Sequence, residues 1–183
     1  MEAAPERVRL RAVDGAVADL EVPWAPADGV DGDPVVALAA HAARPRTALL
    51  VLVRRGGFGA GVARDGELLD HSQGTRYVQG RTAAGGWSQQ RFARRRSGQA
   101  AVLEGAAADT VVKVLARCAQ PLDVVVVGGD RPLVTGVLDD PRLVKVARLP
   151  RSPLLDVRDS RLAVLQDLAA RARAVRVRLT EPG

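Results

Sequence analysis

The sequence predicts a single domain of the α/β (α+β) class, a mixed β-sheet with helices packed on it. Three observations carry this. Thr47–Val53 (T-A-L-L-V-L-V) and Asp123–Gly128 (D-V-V-V-V-G) are nearly continuous apolar runs of strand length, the pattern of central strands covered on both faces. Residues 7–13 and 16–22 alternate apolar and polar side chains about Asp14-Gly15, the pattern of a two-residue hairpin with one covered face. Helical periodicity then marks Ser88–Arg117 and a segment running to Arg173. Buried strands flanked by helices and preceded by meandering strands pack as a helix-covered sheet. A chain of 183 residues is long enough to bury one such core, so residues 1–183 are expected to form one domain.

The elements follow in order. Pro23–Pro34 is rich in Pro, Gly and Asp and reads as a loop. Val35–Ala43 reads as a short helix with Asp33 as N-cap and Pro34 at the first helical position, where its missing amide costs nothing. His41 lies within it and is expected to be structural or solvated. Phe58–Ala63 and Glu67–His71 read as strands joined at Asp65-Gly66. The string Gly57-Phe58-Gly59-Ala60-Gly61 misses the dinucleotide-binding spacing by one residue and precedes no helix, so it reads as a closely packed or bulged strand. Tyr77–Gln79 is expected to form a short strand. In Ser88–Arg117, apolar residues recur at Phe92, Ala93, Ala100, Val102, Leu103, Ala106, Ala107, Val111, Val114 and Leu115, with weak points at Ser97-Gly98 and Gly105. Pro132–Leu138 reads as a short helix and Leu143–Leu149 as a strand. Asp159 or Ser160 is expected to cap a helix through Arg173, and Val175–Leu179 to form the last strand. No internal repeat or long linker is seen.

The formal charge is +6 and the pI about 10.8. A basic balance favours nucleic acid or an anionic surface as partner and says nothing of the fold. Arginine supplies nearly all of the positive charge, the bias of a GC-rich genome. No apolar run approaches a membrane span, and the opening M-E-A-A-P-E-R lacks the pattern of a secretory signal. One cysteine, Cys118, allows no intrachain disulfide and no cysteine-rich zinc site. A cytoplasmic protein without cofactor or metal is the expectation.

The functional signal is the stretch Gly80–Arg96, G-R-T-A-A-G-G-W-S-Q-Q-R-F-A-R-R-R. Arg81–Gly86 reads as a loop, because Gly85 and Gly86 lose the most backbone freedom on ordering. Ser88 can cap a helix through its side-chain oxygen. Arg91, Arg94, Arg95 and Arg96 follow, with Arg91, Arg94 and Arg95 able to share a face and Phe92 turned to the core. The positive end of a helix and a block of arginines both favour a polyanion, RNA or DNA first.

The string G-G-W-S-Q-Q-R-F-A-R-R-R resembles the signature of the Vms-like release factors, in particular their actinobacterial branch. That family is related to the catalytic middle domain of eukaryotic class-I release factors and carries a Gly-x-x-Gln pattern, here Gly86-Trp87-Ser88-Gln89. The resemblance implies a mixed sheet with a projecting glycine-rich catalytic loop (residues 80–90) and a basic helix after it. It implies a peptidyl-tRNA hydrolase that works on the large ribosomal subunit, with peptidyl-tRNA and rRNA as partners, no membrane, and a monomeric state. Eukaryotic release factors add a codon-reading domain and a partner-docking domain. Neither is visible here, so the implied release is codon-independent and acts on stalled nascent chains.

On that substrate the attacking group is water. A glutamine amide is no general base at neutral pH, but its carbonyl oxygen can hold a water and its N–H groups can donate to a developing oxyanion. Positioning of this kind can remove roughly 7–11 kcal/mol of barrier. The remaining catalytic groups would come from ribosome and tRNA, which fits the absence of an evident Ser-His-Asp triad. The Gly-x-x-Gln spacing selects Gln89 over Gln90 as the catalytic amide. Gly85 and Gly86 would let the loop enter a narrow RNA-lined site. Trp87 either stacks on a base or ribose, or anchors the loop on its own domain. Arg81, Arg91, Arg94, Arg95 and Arg96 are the expected RNA contacts. Four arginines on single-stranded RNA would give log K a slope of roughly −3 against log salt.

Two other classes compete. A basic α/β module could bind rRNA or tRNA without hydrolysis, but binding alone has no use for an exposed amide on a glycine hinge. A metal-dependent nuclease needs carboxylates that converge on magnesium; Asp123, Asp130, Asp139 and Asp140 are the candidates near strand ends, and Asp139-Asp140 also reads as a turn before Pro141.

Overall fold

A computed structural model describes residues 2–4, 6–25, 32–75 and 88–181, with side chains given at 4, 6–25, 32–75 and 97–181. The described chain forms a single α+β domain with two four-stranded sheets.

The inner sheet is mixed, in the order β6-β5-β4-β7, formed by β4 (Thr47–Arg54), β5 (Gly57–Arg64), β6 (Glu67–Gly74) and β7 (Val124–Gly129). β4 runs antiparallel to β5 and parallel to β7. Its apolar run is continuous because both faces are covered. Leu49, Val51 and Val53 face a cluster with Leu103, Ala107, Val111 and Val114 of the long helix α2 (Ser88–Arg117) and Val134 and Val137 of α3 (Arg131–Leu138). Leu50 and Leu52 face Leu165 and Leu168 of α5 (Leu162–Arg171). Each fully buried Leu contributes about 1.5–3 kcal/mol of transfer free energy, so β4 is the axis of the core.

β5 explains the glycine string. Phe58, Ala60 and Val62 fill the face toward α2, and Gly57, Gly59 and Gly61 alternate on the other. A Cβ at Gly59 would stand 3.0 Å from Leu165 Cδ1, and one at Gly61 would stand 2.7 Å from Leu68 Cδ1 and 3.0 Å from the Asp70 carbonyl oxygen. Close packing is what these glycines supply. Asp65 and Gly66 both have positive φ, +53° and +86°, the two-residue turn expected there.

The outer sheet is antiparallel in the order β1-β2-β3-β8, from β1 (Glu2–Ala4), β2 (Arg7–Arg11), β3 (Val17–Glu21) and β8 (Arg176–Thr180). Charged residues share one of its faces, where Arg9 forms a bidentate pair with Asp19 at 2.8 and 3.0 Å. The β2–β3 connection differs from the expected two-residue hairpin. Ala12 N donates to the Ala16 carbonyl at 2.8 Å, so the loop has three residues, with Gly15 at φ +93°. α1 (Pro34–Ala43) starts as expected: Asp33 Oδ1 accepts from Val35 N at 2.8 Å. His41 is structural, 2% exposed, with Nε2 2.8 Å from the Pro23 carbonyl oxygen.

Other expectations are corrected. Leu143–Leu149 is not a strand. Pro141–Leu143 is a 3₁₀ turn and Val144–Ala147 a single helical turn, α4, because Leu143 and Val146 are buried at a spacing of three while Val144 is exposed. Neither Asp159 nor Ser160 caps α5: its N-cap position is Arg161, and Asp159 Oδ1 accepts from Arg161 N at 2.9 Å one turn earlier. α5 also ends at Arg171, two residues early. Ser88 is the first residue inside α2 rather than its cap, and that helix runs unbroken past Gly98 and Gly105. Val102 points to solvent. The Tyr77–Gln79 strand and the orientation of Phe92 lie outside the described residues.

Candidate functional site

Arg81, Gly85, Gly86 and Trp87 lie outside the described residues. Ser88, Gln89, Gln90, Arg91, Arg94, Arg95 and Arg96 belong by backbone to the opening turns of α2, and their side chains lie outside the description. Gln89 is thus the second residue of a 30-residue helix, about 45 Å long at 1.5 Å per residue. A helix start offers amides without intrahelical acceptors and the positive end of the macrodipole. Further along, Ser97 and Gly98 are exposed, Ala100 is the first described side chain to touch the core, and Leu103 is the first fully buried.

The two elements that flank the loop, β6 and α2, are latched together. Arg117 at the end of α2 donates from Nε to Asp70 Oδ2 at 2.7 Å and from Nη2 to Asp70 Oδ1 at 3.1 Å, and Nη2 also reaches the His71 carbonyl at 3.3 Å. The bidentate guanidinium holds the Asp70 carboxyl below its ordinary range against the cost of desolvation, helped by the His71 backbone N–H. This fork ties the C-terminal end of α2 to β6, while Leu103, Ala107, Val111 and Val114 seat the helix on the sheet.

At the end of the inner sheet where β6 gives way to the loop there is an open polar cleft. The β4–β5 turn (Arg54 to Gly57), Thr75, Asp130 and the segment Arg158–Arg161 line it. Its walls are pinned together. Arg54 Nη1 donates to the Val157 carbonyl, and Gln73 Nε2 to the Ser160 carbonyl. Arg54 Nε stands 3.9 Å from Asp130, whose other oxygen accepts from Arg55 N at 3.3 Å. A Cβ on Gly57 would run into the Ser160 hydroxyl, so any other residue at that seam would force Ser160 to move. Arg55, Arg158 and Arg161 are exposed on the rim. The sequence alone does not reveal this cleft, because its two walls are about a hundred residues apart in the chain.

The carboxylates weighed for metal chemistry do not converge. Asp123 and Asp130 stand at opposite ends of β7, with Asp123 Oδ2 accepting from Thr47 N at 2.7 Å. Asp140 is forked to Arg142, at 2.9 and 2.8 Å. Among the described residues no group of three or more His, Cys, Asp or Glu side chains is arranged to hold a metal ion, and no helix is long and apolar enough to cross a membrane.

A mixed sheet that hands the chain through Gly-x-x-Gln into a basic-edged helix defines the class of release-factor domains. The profile of the Actinobacteria/chloroflexi VLRF1 release factor matches residues 46–178, well over half of the chain. The chain belongs to that family, and with it to the proteins of translation release, whose work is ribosome-related. No curated protein matches the chain. The matched span opens just before β4, includes the whole inner sheet and its helices, and ends within β8.

Proposed function

We propose that this protein is a peptidyl-tRNA hydrolase that frees nascent chains from stalled ribosomes or large subunits without reading a codon. Gln89 positions the attacking water, and Gly85 and Gly86 give the loop its freedom. Arg81, Arg91, Arg94, Arg95 and Arg96 contact RNA phosphates. The observation that carries this reading is the family match over a span that holds the Gly-x-x-Gln string, with Ser88 and Gln89 in the first turn of helix α2. The protein works as a cytoplasmic monomer, with residues 1–183 as one unit. The pairing of β3 with β8 supports the last point, because it ties the segment before residue 46 to the matched region.

The test is release of a labelled peptide from stalled 50S–peptidyl-tRNA complexes. Wild type should release it, and Gln89→Ala should lose at least 100-fold in rate, the order of effect of removing one oxyanion-type donor. Equal release by both would take Gln89 out of the mechanism. No release by wild type, with RNA binding intact, would make the protein a binding module.

A further inference from the structure

The cleft at the root of the loop has the chemistry of a phosphate site. Arg55 and Arg158 have no side-chain partner among the described residues, and Arg161 has 85% of its side chain exposed. Asp130 and Asp159 oppose an anion, but both are tied back: Asp130 to Arg54 and Arg55 N, Asp159 to Arg161 N and, at 3.5 Å, Arg161 Nε. Four arginines against two aspartates leave a net charge of +2 on the lining. Among the described residues the lining holds no aromatic and no large apolar side chain, so what it offers is charge rather than a face for a nucleobase to stack on. Contacts of this kind read a backbone and not a sequence. Thr75, on the wall, is the last described residue before the loop, so what lies in the cleft lies beside the loop's point of departure.

We infer that this cleft binds the phosphodiester backbone of RNA, with Arg55, Arg158 and Arg161 as its phosphate ligands. The site is a second anchor made of other residues than the arginine block of α2, beside the last described residue before the loop in chain order. The inference rests on the proposed function for its choice of RNA, but it is tested by binding and not by hydrolysis. Two anchors that bracket the loop would fix its direction of entry, which one anchor cannot do.

The experiment uses the full chain and two probes, a labelled tRNA acceptor minihelix ending in CCA and purified 50S subunits, titrated over a salt series. Joint replacement of Arg55, Arg158 and Arg161 by Ala should make the slope of log K against log salt shallower by roughly 2 and weaken binding roughly 100-fold at 0.1 M salt, if each phosphate contact is worth about 0.7 in slope. The matching triple Lys variant should keep most of the slope, which separates charge from folding. Asp159→Asn keeps the acceptor for Arg161 N, removes an opposing charge, and should tighten binding several-fold. Loss on the minihelix identifies the substrate's own strand; loss on 50S alone identifies rRNA. Wild-type affinity and slope for the triple Ala variant on both probes would overturn the inference, and if peptide release by wild type persisted the hydrolase reading would stand without it. Cleft-dependent binding with no peptide release would leave the cleft in place and remove the hydrolase reading.

Discussion

Helix α2 carries two glycines in its interior, Gly98 and Gly105, where helix propensity is poorest. Neither has a positive φ, and a Cβ built on either meets nothing within 4 Å. Replacement by Ala therefore adds no clash and removes the entropy that glycine gives up in a helix, about 0.8–1 kcal/mol per site. The sites are two turns apart and share no neighbour, so the gains should add. The double variant should be more stable by about 1.6–2 kcal/mol. For a chain of this size that raises the melting midpoint by roughly 3–8 °C. With a urea m of about 2–3 kcal/mol/M, the denaturation midpoint rises by roughly 0.5–1 M. Thermal and urea unfolding read the size of the gain. Amide exchange across 97–106 reads its location, since protection should rise there first. Peptide release should stay within about twofold of wild type, because the proposed mechanism puts the loop's freedom in Gly85 and Gly86 and not in the helix. A double variant that is unchanged or less stable would refute the reasoning: α2 would then not be one helix through these positions.

Further outcomes follow from the packing and the charges. Gly129 has φ +105°, and a Cβ there would strike the Val53 carbonyl, so Gly129→Ala should cost about 2 kcal/mol or more in urea denaturation. Leu165 is fully buried against Gly59, and Leu165→Ala should cost about 2–5 kcal/mol by the same assay. The fork with Arg142, then the Arg142 backbone N–H, hold the Asp140 carboxyl down to about 2. Its stabilisation is thus complete above the ordinary value of 3.8 and lost as pH falls toward 2, so Asp140→Asn should lower the midpoint by at most a few degrees at pH 7 and match wild type near pH 2. Burial, and then the charge of Asp139, push the Glu104 carboxyl above its ordinary value of 4.5. Glu104→Gln should therefore raise the melting midpoint at pH 7, with the advantage shrinking as pH falls toward 4.5 and gone below it.

The elements that sequence reading placed well are those set by neighbours within a few residues. The Asp65-Gly66 turn needs two residues tolerant of positive φ and has them. The Asp33-Pro34 start of α1 needs a capping oxygen and a residue without an amide, and has both. The misread strand has a tertiary cause. Leu143–Leu149 alternates like a strand, yet burial at Leu143 and Val146 follows a helical spacing once α2 and α3 provide the surface to pack on. The candidate site divides in the same way. The Gly-x-x-Gln string and its arginines are contiguous and legible, whereas the cleft beside them joins Arg55 to Arg158 and Arg161, about a hundred residues later.

By itself, the sequence determined the family signature, the two strands buried on both faces, the long helix behind the loop and the basic balance of charge. These depend on composition and on spacings of two to four residues, which backbone geometry turns directly into strand or helix. Only the tertiary structure decided that β8 returns to pair with β3, that Arg117 at the end of α2 pairs with Asp70 of β6, and that four arginines from two distant segments wall one cleft. Those are contacts between residues 47 to about 160 positions apart. No local periodicity encodes them, because they come from which faces the buried strands leave for the helices to cover.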